Sequence, residues 1–230
     1  MTRGIFVTGT DTGVGKTMVA VALLRALVDE GHAAAGMKPF AAGIDVGETI
    51  NADVRCLLSA SNVVAPFADV NPYAYAQPIA PHLAAAECGS SIDLDVVAAA
   101  YTRLSRVAEV VVVEGAGGLL VPLGDGADML DVPARLRLPV LLVVGIRLGC
   151  LNHALLSSLA LEVRGVCFAG WVANRIDDGM DHGDDNVKTL VDLLPAPLLA
   201  DIGWNPLAGS ANPFGRAALQ QLGFTQPRGA

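Results

Sequence analysis

Gly9-Thr10-Asp11-Thr12-Gly13-Val14-Gly15-Lys16-Thr17 follows the apolar run Ile5-Phe6-Val7 after Thr8 and leads into a stretch with Val19, Leu23, Leu24, Leu27 and Val28 at helical spacing. The first run predicts a buried strand over Gly4–Thr8, the second a helix over Gly15–Glu30 that stops at Gly31. Glycines at the junction let backbone N–H groups turn toward one point, and the helix start adds its positive end there. A junction of this kind binds an anion. A bare glycine turn would explain the glycines, but not the strand, the helix and the lysine together.

The strict phosphate-loop pattern wants a glycine where Thr10 stands, and Gly9 comes one residue earlier, so the stretch is a variant of that motif. On this reading Lys16 reaches the β- and γ-phosphates of a nucleoside triphosphate and the Thr17 hydroxyl is placed for Mg²⁺.

Outward from the loop, short β-branched runs alternate with helical stretches, as in a parallel sheet. Strands are expected at Ala33–Met37, Glu109–Val113, Val140–Gly145, Gly165–Ala173 and Pro197–Ile202. Helices are expected at Ala52–Ala60, Asp93–Val107, Leu151–Val163 and Asn186–Leu194. Val64–His82, with Pro66, Pro72, Pro78 and Pro81, predicts a long loop of the kind that often serves function. The fold class is therefore α/β, a mostly parallel sheet flanked by helices in a three-layer, P-loop NTPase-like arrangement. Repeats, low-complexity tracts and linkers are absent from the sequence, so residues 1–230 are expected to form one domain, with 206–230 a poorly defined tail.

Ligands of open α/β sheets bind beyond the carboxyl ends of the strands. Lys38, fixed by Pro39, ends one strand, and reads as well as an exposed structural lysine as a catalytic one. Glu114 closes a run of four valines ahead of Gly115-Ala116-Gly117-Gly118, where a Mg²⁺ ligand or a solvated strand end would sit. Asp53 is open in the same way, as a metal ligand or a helix start. His82 and His153 lack metal-pair spacing and are expected to make structural hydrogen bonds.

Hydrophobic residues are 53% of the chain and the net charge is −8, a composition that folds and that argues against a nucleic-acid surface. Cys56, Cys88, Cys150 and Cys167 lack paired spacing, which excludes a zinc ribbon and predicts buried thiols in a reducing cytoplasm. The longest apolar run, near Leu138–Ile146, is about half of the ~20 residues of a membrane span, and Met1-Thr2-Arg3 leads straight into the first strand with no signal-peptide pattern. A cytoplasmic protein without membrane contact is expected.

The ordered set Gly9–Thr17, Lys38-Pro39, Val113-Glu114-Gly115-Ala116-Gly117-Gly118, Asn152-His153, Ala169-Gly170-Trp171-Val172-Ala173-Asn174 and Pro195-Ala196-Pro197-Leu198-Leu199 resembles the dethiobiotin synthetases of biotin synthesis. The resemblance spans roughly residues 4–205. It implies that CO₂ (or bicarbonate), ATP and 7,8-diaminopelargonic acid are joined through a phosphorylated carbamate, with Mg²⁺ as cofactor. It further implies Lys38 and Lys16 as catalytic groups and Thr17, Asp53 and Glu114 as metal ligands. Nucleotide contacts would come from Thr12, Gly13, Val14, Gly15, Lys16, Thr17 and Met18, from Asp53, and from Glu114, Gly115, Ala116 and Gly117. Asn174, Arg175, Gly203, Trp204 and Asn205 would surround the base. The family is a homodimer, in which Lys38 and the Gly149, Cys150, Leu151 and Asn152 segment hold the diamine substrate near the subunit interface. The chain departs from the family pattern at Ala42, where a hydroxyl residue is common, and at Gly203, where proline is.

Three other readings are weaker. A partitioning-type ATPase switch carries a signature lysine where Asp11 stands. A cobyric-acid-type amidotransferase needs a second, glutaminase domain. A non-catalytic nucleotide-binding module leaves Lys38 and Glu114 unexplained.

Overall fold

The computed structural model describes residues 3–45, 47–204 and 212–224. In chain order the elements are β1 (Arg3–Gly9), α1 (Lys16–Asp29), β2 (Ala34–Met37), β3 (Phe40–Ala42), α2 (Ala52–Ala60), α3 (Phe67–Val70), β4 (Tyr73–Tyr75), α4 (Pro81–Glu87), α5 (Leu94–Leu104), β5 (Val110–Glu114), β6 (Pro122–Gly124), β7 (Ala127–Asp128), α6 (Asp131–Leu136), β8 (Val140–Ile146), α7 (Cys150–Val163), β9 (Phe168–Arg175), α8 (Gly183–Leu193), β10 (Leu198–Ile202) and α9 (Arg216–Gln221).

Six strands make the central sheet in the order β10-β9-β8-β1-β5-β2, and every pairing is parallel. Both faces are covered, which is why β5 is a continuous valine run rather than an alternating one. Val110 and Val112 pack with α1 residues Leu23, Leu24 and Leu27 on one face. Val111 and Val113 pack with Val97, Ala100 and Leu104 of α5 on the other. Leu142, Val144, Trp171 and Ala173 meet Ala154 of α7 and Leu190 of α8. Trp171 is fully buried and its indole N–H has no acceptor among the described residues.

β1 sits between β5 and β8, so connections leave it toward both sides of the sheet. That switch point opens a crevice at the carboxyl ends of the strands, and the loop after β1 lies in it.

Several expectations are corrected. Val64–His82 is not one loop, because it holds α3, β4 and the start of α4. Pro66 and Pro81 begin helices there, and Tyr73–Tyr75 pairs in parallel with Phe40–Ala42. The strand expected from Gly165 begins only at Phe168, since Gly165 lies in the turn after α7 with a positive φ. The tail is not loop throughout. α9 packs Ala218 and Leu219 into the core beside Phe214 and Phe224, while Arg3 of β1 donates to the Gly223 carbonyl. Three of the four cysteines, Cys56, Cys88 and Cys167, are exposed, and Cys150 alone is the buried thiol expected of all.

Candidate active site

The loop between β1 and α1 takes its shape from two glycines with positive φ, Gly13 and Gly15. Gly15 allows a close approach as well: a side chain there would collide with the Asn174 amide, which donates to the Val14 carbonyl at 2.8 Å. Asn174 thus braces the loop from β9. Lys16 is buried and its Nζ donates to the Asp11 carbonyl at 2.8 Å. Burial lowers its pKa to about 8, with Glu114 pulling it back up and Lys38 pushing it further down.

Lys38 follows β2 and is buried, which excludes the exposed structural lysine. Its Nζ meets Asp53 Oδ2 at 2.5 Å and Glu114 Oε1 at 2.6 Å. Burial works against its charge, but the two carboxylates outweigh burial and hold its pKa above the ordinary lysine value. For Asp53 the order is the same: burial raises its pKa, and the Lys38 charge and hydrogen bond more than reverse that. Thr17 Oγ1 donates to Glu114 Oε1 at 2.7 Å. Sequence positions 16, 17, 38, 53 and 114 therefore converge on one spot.

Glu114 is 0% exposed and its second oxygen, Oε2, has no partner among the described residues. A buried carboxylate oxygen left over from such a cluster is costly unless a cation or donor faces it. Thr17, Asp53 and Glu114 offer a hydroxyl and two carboxylates, the hard oxygen donors that Mg²⁺ takes. The set fits that ion.

Asp53 is placed by the start of α2. Asn51 caps this helix, accepting from Asp53 N–H at 3.0 Å, and donates to the Gly43 carbonyl at 2.6 Å. The same loop ties down a wall that sequence reasoning missed. Gly43 N–H donates to the Tyr75 and Gln77 carbonyls and Ile44 N–H to Ala76, which brings Pro78 against Gly43. A cavity of about 660 Å³ results. It is lined by Thr12, Gly13, Gly15, Lys16, Thr17, Lys38, Asp53, Glu114, Ala116 and Gly117 from the loop and the strand ends, and by the apolar Phe40, Ala42, Pro78, Ile79, Ala80, Pro81 and Val121. The only advance signal of the apolar wall was the proline content of that stretch.

The remaining sequence candidates lie around this cavity or apart from it. Val14 is buried and Met18 partly exposed on the loop and first turn of α1. Arg175, expected at the base, has its guanidinium engaged by Asp201 at 2.8 Å and Asp184 at 2.6 Å. Gly203 and the half-exposed Trp204 follow β10; Asn205 lies outside the described residues. Gly149 caps α7 with φ 94°, with Cys150 buried, Leu151 partly buried and Asn152 exposed after it. None of these four lines the cavity. The structural hydrogen bond expected of His82 is absent, as its buried Nδ1 lacks a partner among the described residues.

A family model described as an AAA domain matches residues 3–212. An ATP-dependent dethiobiotin synthetase from Nitrosospira multiformis is 51% identical over 199 residues, covering 86% of this chain and 87% of that protein. The chain belongs to the dethiobiotin synthetase family. Synthetases of the same name from Aromatoleum aromaticum and Xanthomonas oryzae pv. oryzae are 47% and 44% identical, each covering at least 96% of this chain and 97% of its relative. Against solved structures, the fold of this synthetase family member is that of P-loop ATPases. The MinC:MinD cell division complex of Aquifex aeolicus aligns with a TM-score of 0.57 at 18% identity, over 89% of this chain and 82% of that one. A ParA family ATPase from Chlorobium tepidum aligns at 0.55 and 14% identity, over 90% of this chain and 86% of the other.

Proposed function

We propose that this site makes dethiobiotin from 7,8-diaminopelargonic acid, CO₂ and ATP, with Mg²⁺. The observation that carries the reading is the Lys38 ammonium, buried between Asp53 and Glu114 where the phosphate loop meets an apolar pocket. Carbamate formation joins CO₂ to one amine, which releases a proton. ATP then phosphorylates the carbamate. The second amine attacks that carbonyl carbon, phosphate leaves, and a cyclic urea closes. Each step gathers negative charge on oxygen, and fixed cations and N–H groups are the means of stabilising it.

Lys38 is the cation for the carbamate and the transferring phosphoryl group, and its paired carboxylates keep it protonated. Lys16, released from the Asp11 carbonyl, serves the β- and γ-phosphates alongside Thr12 and the N–H groups of Gly13 to Met18. Thr17, Asp53 and Glu114 would hold Mg²⁺, which supplies charge neutralisation on the phosphates. Ala116 and Gly117 border the same phosphates beside Gly115. Asn174, with Gly203, Trp204 and Asn205, belongs to the base side, and Arg175 shapes it through Asp201. The apolar side, from Phe40 to Val121, accepts the hydrocarbon chain of the diamine.

The substrate carboxylate falls to Gly149, Cys150, Leu151 and Asn152 of a second copy in a homodimer. Support for a dimer comes from α7, whose outer side exposes Leu155, Leu156, Leu159 and Val163, with Leu148 just ahead of it. Such a contiguous apolar stripe is a protein contact surface more often than a solvated one. A single domain is supported by the unbroken six-stranded sheet. No helix among the described residues is long and apolar enough to cross a membrane.

The test is direct. Protein incubated with the diamine, bicarbonate, Mg²⁺ and ATP should yield dethiobiotin, ADP and phosphate, read by mass spectrometry. Consumption of ATP without the cyclic product would overturn the reading.

A further inference from the structure

Asp11 makes three contacts, of which the chemistry above uses only the one from Lys16. Its Oδ1 accepts from Thr12 N–H at 2.7 Å, its carbonyl accepts from Lys16 Nζ at 2.8 Å, and its Oδ2 accepts from Arg147 Nη2 at 2.5 Å. The Thr12 N–H holds its carboxyl below the usual range; burial opposes this, and Arg147 and then His153 add to the lowering. Arg147 stands between β8 and α7, and its own carbonyl accepts the Cys150 N–H at 3.0 Å. One carboxylate therefore joins the phosphate loop to the start of α7, 136 residues away.

A carboxylate in a phosphate-binding loop is a liability, because it repels the anion that the loop attracts. Asp11 and Arg147 are 48% and 39% exposed, so their pairing contributes little to stability by itself. Its effect on a bound anion is larger, since Asp11 belongs to the loop that takes the phosphates and an uncancelled charge beside Thr12 would repel them. We infer that Arg147 is a positioning residue for ATP: it cancels the Asp11 charge and keeps that carboxylate turned toward Thr12, so that the loop N–H groups and Lys16 face the nucleotide. The inference rests on the reading of this loop as the ATP site. It also gives Asp11 a use: the side chain shapes the loop, and Arg147 removes the electrostatic penalty of having it there.

The experiment measures binding of a non-hydrolysable ATP analogue with Mg²⁺ and without diamine, by calorimetry, together with the KM for each substrate and the Tm. Arg147→Met should weaken the analogue and raise the ATP KM roughly tenfold, the scale of one unpaired charge near phosphates, with Tm and the diamine KM little changed. Asp11→Asn keeps an acceptor for Thr12 N–H and should cost much less. The double variant should return to the level of Asp11→Asn alone, and Arg147→Lys should restore most of the binding. Analogue binding by Arg147→Met within about twofold of the parent would overturn the inference. So would a double variant as weak as Arg147→Met, or a loss that merely tracks a lowered Tm. A parent protein that binds the analogue but forms no dethiobiotin removes the proposed reaction and leaves this inference standing; one that binds no nucleotide ends both.

Discussion

Lys38 and Lys16 are both buried in one cavity, yet their surroundings push them in opposite directions. Lys38 has two carboxylates within hydrogen-bond reach; Lys16 has a carbonyl. Replacing Lys38 with Met should abolish turnover while nucleotide binding persists, and near-normal turnover would remove Lys38 from its role. The same variant removes the only ammonium hydrogen-bonded to buried Glu114 among the described residues and leaves Lys16 as its nearby cation, so urea melting in the absence of Mg²⁺ should show a loss of up to about 3–5 kcal/mol. Lys16, with a pKa lowered to about 8, is losing its proton as the pH rises above that value in the free protein. Phosphates favour the charged form, so their binding raises the Lys16 pKa. Calorimetry of the ATP analogue near pH 9 in buffers of different ionisation enthalpy should therefore report proton uptake, absent in Lys16→Met; proton release would contradict this. The positions of Lys16, Thr17, Lys38 and Glu114 were legible in the sequence because strand ends and a glycine loop locate them, but the burial of Lys38 between two carboxylates was not. Nor was Arg147, since its partner lies in the loop after β1, and no local pattern records a contact of that range.

At the scale of elements, the valines of β5 and the spaced leucines of α1 declared themselves through periodicity and burial on both faces. β3, β4, α3 and α9 did not. Each has six residues or fewer, too short for a period to show, and each owes its form to what it packs against. Phe40–Ala42 is a strand because Tyr73–Tyr75 lies beside it. α9 is a helix because Leu219, 1% exposed, and its neighbours complete the core over α1 and β10. Leu219→Ala should accordingly cost about 2–5 kcal/mol in chemical denaturation, as for other buried leucines. A cost below about 0.5 kcal/mol, the range of surface changes, would mean that α9 is not part of the core.

For the whole molecule, composition announced a folded acidic protein but could not say which leucines stay outside. Leu155, Leu156, Leu159 and Val163 satisfy the spacing of a buried helix face, yet the sheet takes the opposite side of α7, through Ala154 and Leu161. In the dimer reading a second copy covers them. Sedimentation of the parent should give twice the 23.6 kDa chain mass, and Leu156→Glu with Leu159→Glu should give one chain mass and a raised KM for the diamine. A parent that sediments as a single chain would remove the dimer, and with it the shared substrate site.

The two tryptophans of the chain occupy opposite environments, Trp171 enclosed between the sheet and its helices and Trp204 half exposed where β10 ends. Intrinsic fluorescence should resolve them into a blue-shifted emitter shielded from acrylamide and a red-shifted one that acrylamide quenches. Only the quenchable component should respond when nucleotide is added, and a response confined to the shielded one would place the base elsewhere. On the reading that puts Trp204 beside the base, the protein would carry its own optical reporter of nucleotide occupancy, with an internal reference that needs no label.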